Sequence, residues 1–512
     1  MKPHTFLWHD YETFGAKARL DRPAQFGAVR TDAELNPIGA PLMFYCRPAP
    51  DYLPDPESCL ITGITPQQCL QHGLPEHEFA RRIEAELGQP GTVGVGYNTI
   101  RFDDEFTRFL LWRNLLEPYA REWKNGCGRW DMLDVLRLCY ALRPEGLEWP
   151  LKADGRPSFK LEDLARANGI EHGAAHDALS DVYATLGLAR LLRQRQPRLF
   201  DFAFGLHKKD RVAAELGLPT TPQQAKPFLH VSGFFPPERG CLGLMWPLAS
   251  HPTNRNELLA WDLAHDPAEL ATLNAAEVRA RMFVRQEDLP IGLKRLPLKS
   301  VHLNKSPMVV ANLRALRPEL AQRWGIDLEQ GLRHAERAAA LPDLNALWRA
   351  VYERNGGTQA AQATHLDAQA GKQAGTQPGA QSAAPEPDPE QDLYGGFVGD
   401  ADRLRLLELR ERPPADPAWL RTRFEDERLS ELVWRYRARN FPEQLSAAEQ
   451  ARWRAHCQAR LLHGQGGALT LERQMARIDE LAEQAGERGD ERAEAILGDL
   501  HDYAQSLAEA LS

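Results

Sequence analysis

Two carboxylates lie two residues apart at the end of the first predicted strand. Residues 5–9 form a short apolar run that leads into Asp10-Tyr11-Glu12-Thr13. Because alternate residues of a strand point to the same side, Asp10 and Glu12 can converge on one point. Neighbouring carboxylates repel each other unless a cation lies between them, and hard oxygen ligands suit Mg²⁺ or Mn²⁺. The same pattern is common at solvated strand ends, so alone it indicates a metal site only weakly.

Two further acidic segments follow along the chain. Residues 98–103 read NTIRFD and place Asp103 after a predicted strand, where a helix begins. Residues 176–181 read HDALSD and open a predicted helix over 177–194, in which Asp181 lies one turn after Asp177 on the same face. Alternatively, Asp103 and Asp177 are simply helix N-caps. His176 is then a surface histidine beside a cap. Asp181 lies in a mostly apolar helix and is not needed for helix stability.

In chain order the three segments read D-x-E-T, N-x(3)-F-D and H-D-x(3)-D. This ordered set resembles the DEDD superfamily of 3′→5′ exonucleases, in its histidine-bearing DEDDh branch. The resemblance implies a ribonuclease-H-like fold and two bound Mg²⁺ ions, for which Mn²⁺ can substitute. It also implies catalytic roles: Asp10, Glu12 and Asp181 as metal ligands, Asp103 as the fourth acidic residue, and His176 as the acceptor of a proton from the attacking water. A histidine is suited to that role near neutral pH.

Composition excludes several classes of protein. Of the 512 residues, 43% are hydrophobic and 26% are charged, as in ordinary globular proteins. No apolar run of membrane-spanning length and no apolar signal segment is visible, so we expect a cytoplasmic protein. The 7 scattered cysteines argue against a disulfide framework or a structural zinc site and favour reduced thiols. The net charge of −9 is uneven, with an excess of basic residues over 201–350, so nucleic-acid binding is not excluded.

Strand and helix patterns alternate over the first 200 residues and predict a mixed sheet covered by helices. Short β-like runs with helical patterns follow over 201–350, and residues 393–512 are almost entirely helical in pattern. Between them, residues 355–390 are rich in Ala, Gln, Gly and Pro and almost free of large apolar residues. Such a segment cannot bury enough surface to offset its chain entropy, which predicts a flexible linker.

Longer segments of the sequence resemble one family in particular, the bacterial exodeoxyribonuclease I family. They are HDYETFG (9–15), LDRPAQFGAVRTD (20–32), YCRPAPDYLPDP (45–56), ITGITPQ (61–67), GYNTIRFDDE (96–105), ALRPEG (141–146) and RARNFP (437–442). The resemblance implies an α/β architecture: a ribonuclease-H-like exonuclease domain with a mixed five-stranded sheet, a Src-homology-three-like β-barrel domain with helices, and an α-helical C-terminal domain. The expected limits are 1–196, 197–354 and 391–512, with the linker at 355–390 longer than is usual in the family.

The resemblance also implies an activity. The expected enzyme is a monomeric, Mg²⁺-dependent nuclease that degrades single-stranded DNA processively from its 3′ end to nucleoside 5′-monophosphates, in DNA repair and recombination. Two rivals stay open. One is a DEDDh ribonuclease, which the roughly 300 additional residues argue against; the other is a catalytically silent single-strand binder, which the intact acidic set argues against.

Candidate substrate contacts follow the third acidic position. Basic and aromatic side chains interleave over 108–137, a composition suited to stacking on unpaired bases and following phosphates. The predicted DNA contacts are Glu12, Arg108, Tyr119, Trp123, Arg137 and Lys160. The alternative is solvated basic residues and core aromatics. The family resemblance further implies docking of the acidic tail of single-strand DNA-binding protein, for which Arg143 and Arg317 are candidates.

Overall fold

The computed structural model describes residues 4–171, 177–221, 224–353 and 387–511. The chain forms two compact units. One comprises Met1–Gly128, Glu171–Leu186 and Ala383–Ser512, and the other comprises Arg129–Ile170 and Gly187–Ser382. The predicted domain limits stay a prediction. Among the described residues, no helix is long and apolar enough to cross a membrane.

A mixed five-stranded sheet carries the first two acidic residues. Its strands are β1 (Thr5–Thr13), β2 (Pro23–Thr31), β3 (Leu42–Tyr45), β4 (Thr92–Gly96) and β5 (Gly128–Asp131), in the order β3-β2-β1-β4-β5. Strand β1 is antiparallel to β2 and parallel to β4. Phe6, Leu7 and Trp8 are all at most 1% exposed, so both faces of β1 are covered at this point. The expected five-stranded mixed sheet is confirmed.

Helices lie between and after these strands along the chain. They are α1 (Pro56–Thr62), α2 (Pro66–His72), α3 (Glu76–Leu87), α4 (Asp103–Arg113), α5 (Met132–Leu142), α6 (Leu161–Ala167) and α7 (Ala178–Arg195). The helix predicted over 177–194 is confirmed as α7, with both ends shifted by one residue. Helices α1 and α2 have 7 residues each and begin at the capping side chains of Asp55 and Thr65.

The second unit contains an antiparallel sheet. Its strands are β6 (Phe228–Val231), β7 (Leu242–Ser250), β8 (Glu257–Asp262), β9 (Leu298–His302) and β10 (Met308–Val310), in the order β10-β6-β7-β8-β9. Helices that follow α7 or accompany this sheet are α8 (Pro197–Gly205), α9 (Lys209–Glu215), α10 (Ala275–Met282), α11 (Pro318–Arg323), α12 (Leu328–Ala339) and α13 (Asn345–Tyr352). This arrangement agrees with the expected small barrel with helices.

The C-terminal region is helical, as expected. Its helices are α14 (Asp400–Arg410), α15 (Ala418–Arg421), α16 (Glu427–Asn440), α17 (Ala447–Leu461), α18 (Leu471–Arg488) and α19 (Glu491–Leu511). They share apolar cores with the N-terminal part of the first unit. Phe109 and Trp112 of α4 pack with Leu409 and Leu432, and Phe14 belongs to one cluster with residues of α18 and α19. The 7 cysteines are buried and free, as the sequence predicts.

The first described residues after position 386 are held by buried ion pairs. Glu390 is 2% exposed and accepts hydrogen bonds from Arg22 and Arg439, at 2.8 and 2.7 Å. Arg439 also pairs with the buried carboxylate of Asp51 at 2.8 Å. The arginines hold the pKa of Glu390 well below its ordinary value, although burial alone would raise it. Glu390, which falls in the predicted linker, is therefore packed against Arg22 of the exonuclease region.

Candidate active site

Three carboxylates from two elements meet at one point. Asp10 and Glu12 lie on β1, and Asp181 lies in the first turn of α7. One carboxylate oxygen of each lies within 4.8 Å of the other two. The structure thus brings together the three residues predicted as metal ligands, from positions about 170 residues apart in the sequence.

Asp103 borders the same cavity. This cavity has a volume of about 280 Å³, and its lining includes Asp10, Glu12, Asp103 and Asp181. Asp103 is the first residue of α4, whose N-cap position is Phe102. Its Oδ1 accepts a hydrogen bond from the backbone N–H of Tyr11 at 3.1 Å. The alternative interpretation of Asp103 as the helix N-cap is therefore wrong, and β1 itself orients this carboxylate.

Burial and the neighbouring carboxylates raise the pKa of Asp10 and of Glu12. Burial is the main cause for Asp10, followed by the negative charges of Asp103 and Asp181, and its pKa lies well above the ordinary value. Burial, followed by the charges of Asp181 and Asp177, raises the pKa of Glu12 to about 8. Glu12 therefore retains its proton near neutral pH unless a cation replaces it. The donor set is made of hard oxygens and fits Mg²⁺ or Mn²⁺.

The start of α7 is fixed by a capping side chain. Oδ2 of Asp177 accepts a hydrogen bond from the backbone N–H of Ser180 at 3.1 Å, so Asp177 is the N-cap. Its charge also contributes to the raised pKa values of Asp10 and Glu12. His176, the predicted general base, lies outside the described residues, and its role stays a prediction.

The side chains predicted to contact DNA near α4 differ widely in their exposure to solvent. The guanidinium of Arg108 pairs with Glu122 at 2.8 Å and with Glu105 at 2.5 Å, and only 6% of the residue is exposed. It also lies 5.4 Å from the centre of the Tyr119 ring. Trp123, by contrast, is 69% exposed. Trp123 is therefore accessible for stacking, whereas a phosphate contact by Arg108 would require its buried ion pairs to break.

Arg137 and Lys160 lie in the second unit. Arg137 pairs with Asp134 at 2.7 Å, and its guanidinium lies 5.8 Å from the centre of the Phe159 ring. Lys160 occupies the N-cap position of α6, and its side chain is 68% exposed. Lys160 is thus the more accessible of these two cations.

The candidates for binding an acidic protein tail are engaged within the second unit. Arg143 donates to the carbonyl oxygen of Ala315 at 2.7 Å, and Arg317 forms ion pairs with Glu145 and Glu319. An incoming carboxylate would therefore have to compete with existing partners of both arginines. Their binding of a tail stays a prediction.

Two neighbours of the acidic cluster are not apparent from sequence patterns. Gln25 on β2 bonds to the start of α7, and Asp177 adds its charge to the cluster. The sequence predicts that Asp177 caps a helix, but it does not predict that the Asp177 carboxylate lies near Glu12. Finding Gln25 requires the register between β1 and β2, which the sequence does not contain.

Comparison of the sequence with known proteins identifies the family of the chain. The model described as "Exonuclease" matches residues 7–189, "Exonuclease I SH3-like domain" matches 207–354, and "Exonuclease I C-terminal domain" matches 387–507. The chain is 44% identical to exodeoxyribonuclease I of Escherichia coli over 88% of this chain and 89% of that protein. It is 41% identical to exodeoxyribonuclease I of Haemophilus influenzae over 90% and 91%.

Solved structures agree with the sequence comparison. An exonuclease I from Methylocaldum szegediense is similar with a TM-score of 0.87 and 44% identity, covering 98% of this chain and 99% of the other. Exonuclease I of E. coli in complex with a dA16 oligonucleotide is similar with a TM-score of 0.85 and 41% identity, covering 98% and 100%. With identity above 40% over most of both chains, and family models matched in all three regions, the chain belongs to the exodeoxyribonuclease I family.

Proposed function

We propose that this protein is an exodeoxyribonuclease that degrades single-stranded DNA processively from the 3′ end and releases nucleoside 5′-monophosphates. The observation that carries the proposal is the convergence of the Asp10, Glu12 and Asp181 oxygens in one cavity that also includes Asp103. Exonuclease I of E. coli, a relative of similar fold, has been solved in complex with dA16 and dT13 oligonucleotides, which supports single-stranded DNA as the substrate. A role in DNA repair and recombination accords with such an activity.

The proposed cofactor is Mg²⁺, as two ions for which Mn²⁺ can substitute. Asp10, Glu12 and Asp181 would hold it, and Asp103 would complete the acidic set. A bound pair of divalent cations supplies stabilisation of the charge that develops on the attacking and leaving oxygens of a phosphodiester. The raised pKa values of Asp10 and Glu12, caused first by burial and then by neighbouring negative charges, support this assignment, because a bound cation stabilises the ionised carboxylates.

The protein's own groups would divide the remaining work. His176 would accept the proton of the attacking water at a ring nitrogen, and Glu12 would also contact the substrate. The backbone N–H of Tyr11 holds Asp103 in its orientation. Because Asp177 caps α7, it would keep Asp181 fixed relative to the strand carboxylates during the reaction.

The DNA strand would be held by stacking and by cationic contacts. The exposed ring of Trp123 supports stacking on an unpaired base, and Tyr119 is the second ring proposed for stacking. Lys160, with its exposed ammonium group, is proposed to hold a phosphate of the terminal nucleotide. Arg137 and Arg108 are proposed contacts whose present ion pairs would have to rearrange.

The proposal also includes a cellular location, an oligomeric state and a protein partner. The enzyme would act as a cytoplasmic monomer. Arg143 and Arg317 would bind the acidic C-terminal tail of single-strand DNA-binding protein by exchanging their present acceptors for the tail's carboxylates.

Digestion of end-labelled nucleic acids tests the activity directly. Single- and double-stranded DNA, labelled at either end, and a matched RNA would be incubated with Mg²⁺ or EDTA and analysed by product length. We expect mononucleotides from the 3′ end of single-stranded DNA with Mg²⁺ only. The control is Asp154→Asn, which removes an exposed carboxylate and should leave the rate unchanged, whereas Asp181→Asn should abolish cleavage. Preferential RNA cleavage would favour a ribonuclease, and binding without product release would favour a silent binder.

A further inference from the structure

Strand β2 pairs with the strand that carries two of the acidic residues. In the antiparallel register Glu12 lies opposite Gln25, and Asp10 lies opposite Gly27. Directly opposed residues of an antiparallel pair share one face of the sheet, so Gln25 and Gly27 lie on the same face as the carboxylates. Gln25 is only 2% exposed. A buried polar side chain of this kind requires a hydrogen-bond partner.

The partner of Gln25 is the first residue of α7. Its Oε1 accepts a hydrogen bond from the backbone N–H of Ala178 at 3.1 Å, in a buried position. The first N–H groups of a helix have no acceptor within the helix. Gln25 therefore satisfies one of these groups and ties the start of α7 to β2.

Gly27 allows the same helix to approach closely. A Cβ atom at this position would lie 2.8 Å from the backbone carbon of Ala178 and 2.8 Å from the nitrogen of Leu179. Such contacts are shorter than packed atoms tolerate, so any larger residue would displace the start of α7 or the strand. The lack of a side chain at Gly27 and the amide of Gln25 thus both act on Ala178, the first residue of α7.

We propose that Gln25 and Gly27 are positioning residues, which set the start of α7 so that Asp181 reaches Asp10 and Glu12. This inference rests on the proposed role of the three carboxylates as metal ligands. Asp181 lies three residues after Ala178 in the first turn, so a displacement of the helix start moves its carboxylate as well. Residues that orient metal ligands are typically worth about 10- to 100-fold in metal affinity or activity.

Replacement of Gln25 separates positioning from folding. In Gln25→Met a side chain of similar length loses the acceptor, and we expect Mn²⁺ to bind about 10- to 100-fold more weakly. We expect kcat on single-stranded DNA to fall in step while KM stays nearly constant, because the substrate contacts remain. Gln25→Glu keeps an acceptor for Ala178 and should bind Mn²⁺ at least as tightly as the wild type.

A matched control removes another buried glutamine amide. Gln474 in α18 donates to the carbonyl oxygen of Pro54 at 2.7 Å and is fully buried. Gln474→Met should lower thermal stability by an amount similar to Gln25→Met, since both remove one buried hydrogen bond. It should leave Mn²⁺ affinity and kcat unchanged. Metal affinity would be measured on the full-length protein without DNA, from the electron paramagnetic resonance signal of free Mn²⁺.

The outcomes distinguish the inference from the proposed function. A folded Gln25→Met protein with wild-type Mn²⁺ affinity and kcat would overturn the positioning role, and so would an equal loss in Gln25→Glu. Asp181→Ala is measured in parallel. If Asp181→Ala binds Mn²⁺ like the wild type, the proposed metal site itself fails; if only Asp181→Ala loses binding, the positioning role alone fails. Should Gln25→Met not fold, Gln25→Asn replaces it with the same expectation, because its oxygen is withdrawn by one methylene.

Discussion

Divalent metal should bind more tightly as the pH rises from 6 to 8, because protons must leave the acidic cluster first. Burial and the charges of Asp181 and Asp177 raise the pKa of Glu12 to about 8. Metal-free Glu12 is therefore mostly protonated at pH 6 and pH 7. Displacement of this single proton lowers the Kd for Mn²⁺ about ninefold between pH 6 and 7 and about fivefold between pH 7 and 8. The raised pKa of Asp10 acts in the same direction.

The assay is a Mn²⁺ titration of DNA-free protein at pH 6, 7 and 8 and constant ionic strength, with free Mn²⁺ measured by electron paramagnetic resonance. Asp177→Asn is the informative variant. Asparagine also caps helices well, so the bond to Ser180 survives while one negative charge beside Glu12 disappears. The pH dependence should become shallower in this variant. In His176→Ala it should persist, because the titrating groups are carboxylates.

A change in the wild-type Kd of less than about twofold between pH 6 and 7 would refute this reasoning, since one displaced proton requires nearly tenfold. It would mean that the carboxylates of the metal-free protein are already ionised. An equally steep dependence in Asp177→Asn would contradict the assigned contribution of Asp177, and a flat dependence in His176→Ala would assign the proton to the histidine.

The remaining predictions concern catalysis and stability. Asp181→Ala should abolish cleavage and leave single-stranded DNA binding largely intact, measured by product length and by fluorescence anisotropy; near-normal turnover would contradict it. His176→Ala should lower turnover about 10²- to 10⁴-fold and remove the loss of rate below pH 6.5, checked by pH–rate profiles. Glu390→Ala should lower the free energy of unfolding by about 3–5 kcal/mol in urea denaturation, because Arg22 loses its buried partner. Deletion of 358–386 should leave the melting temperature and single-turnover rate nearly unchanged, whereas a fall of more than about 10 °C would show that the segment contributes packed contacts.

The acidic cluster was predictable because it depends on local rules. The alternation of a strand places Asp10 and Glu12 on one side, and the first turn of a helix carries Asp181. Each rule needs only a few neighbouring residues, whereas the convergence of Asp181 with the two strand carboxylates was implied by the resemblance to the DEDDh exonucleases. The fold class followed from the same alternation of strand and helix patterns.

Contacts between distant residues were not predictable in this way. Arg108 has the composition and spacing of a phosphate contact, yet its guanidinium is taken up by Glu122 and by Tyr394, 286 residues away. Glu390 belongs to a segment of linker-like composition, but two buried arginines hold it. In both places polar partners, rather than the apolar burial on which sequence patterns depend, decide the surroundings of the side chain, and one partner in each is hundreds of residues away.

The buried contacts between the two ends of the first unit have a consequence for synthesis on the ribosome. The buried partner of Arg22 is Glu390, which is synthesised 368 residues later. At about 5–20 residues per second, this separation corresponds to roughly 20–70 s of translation. During that time the N-terminal region holds an unpaired arginine and apolar residues such as Phe14, whose cluster partners in α19 have not yet been made. The nuclease can therefore complete the packing of its N-terminal region only after nearly the whole chain has been synthesised.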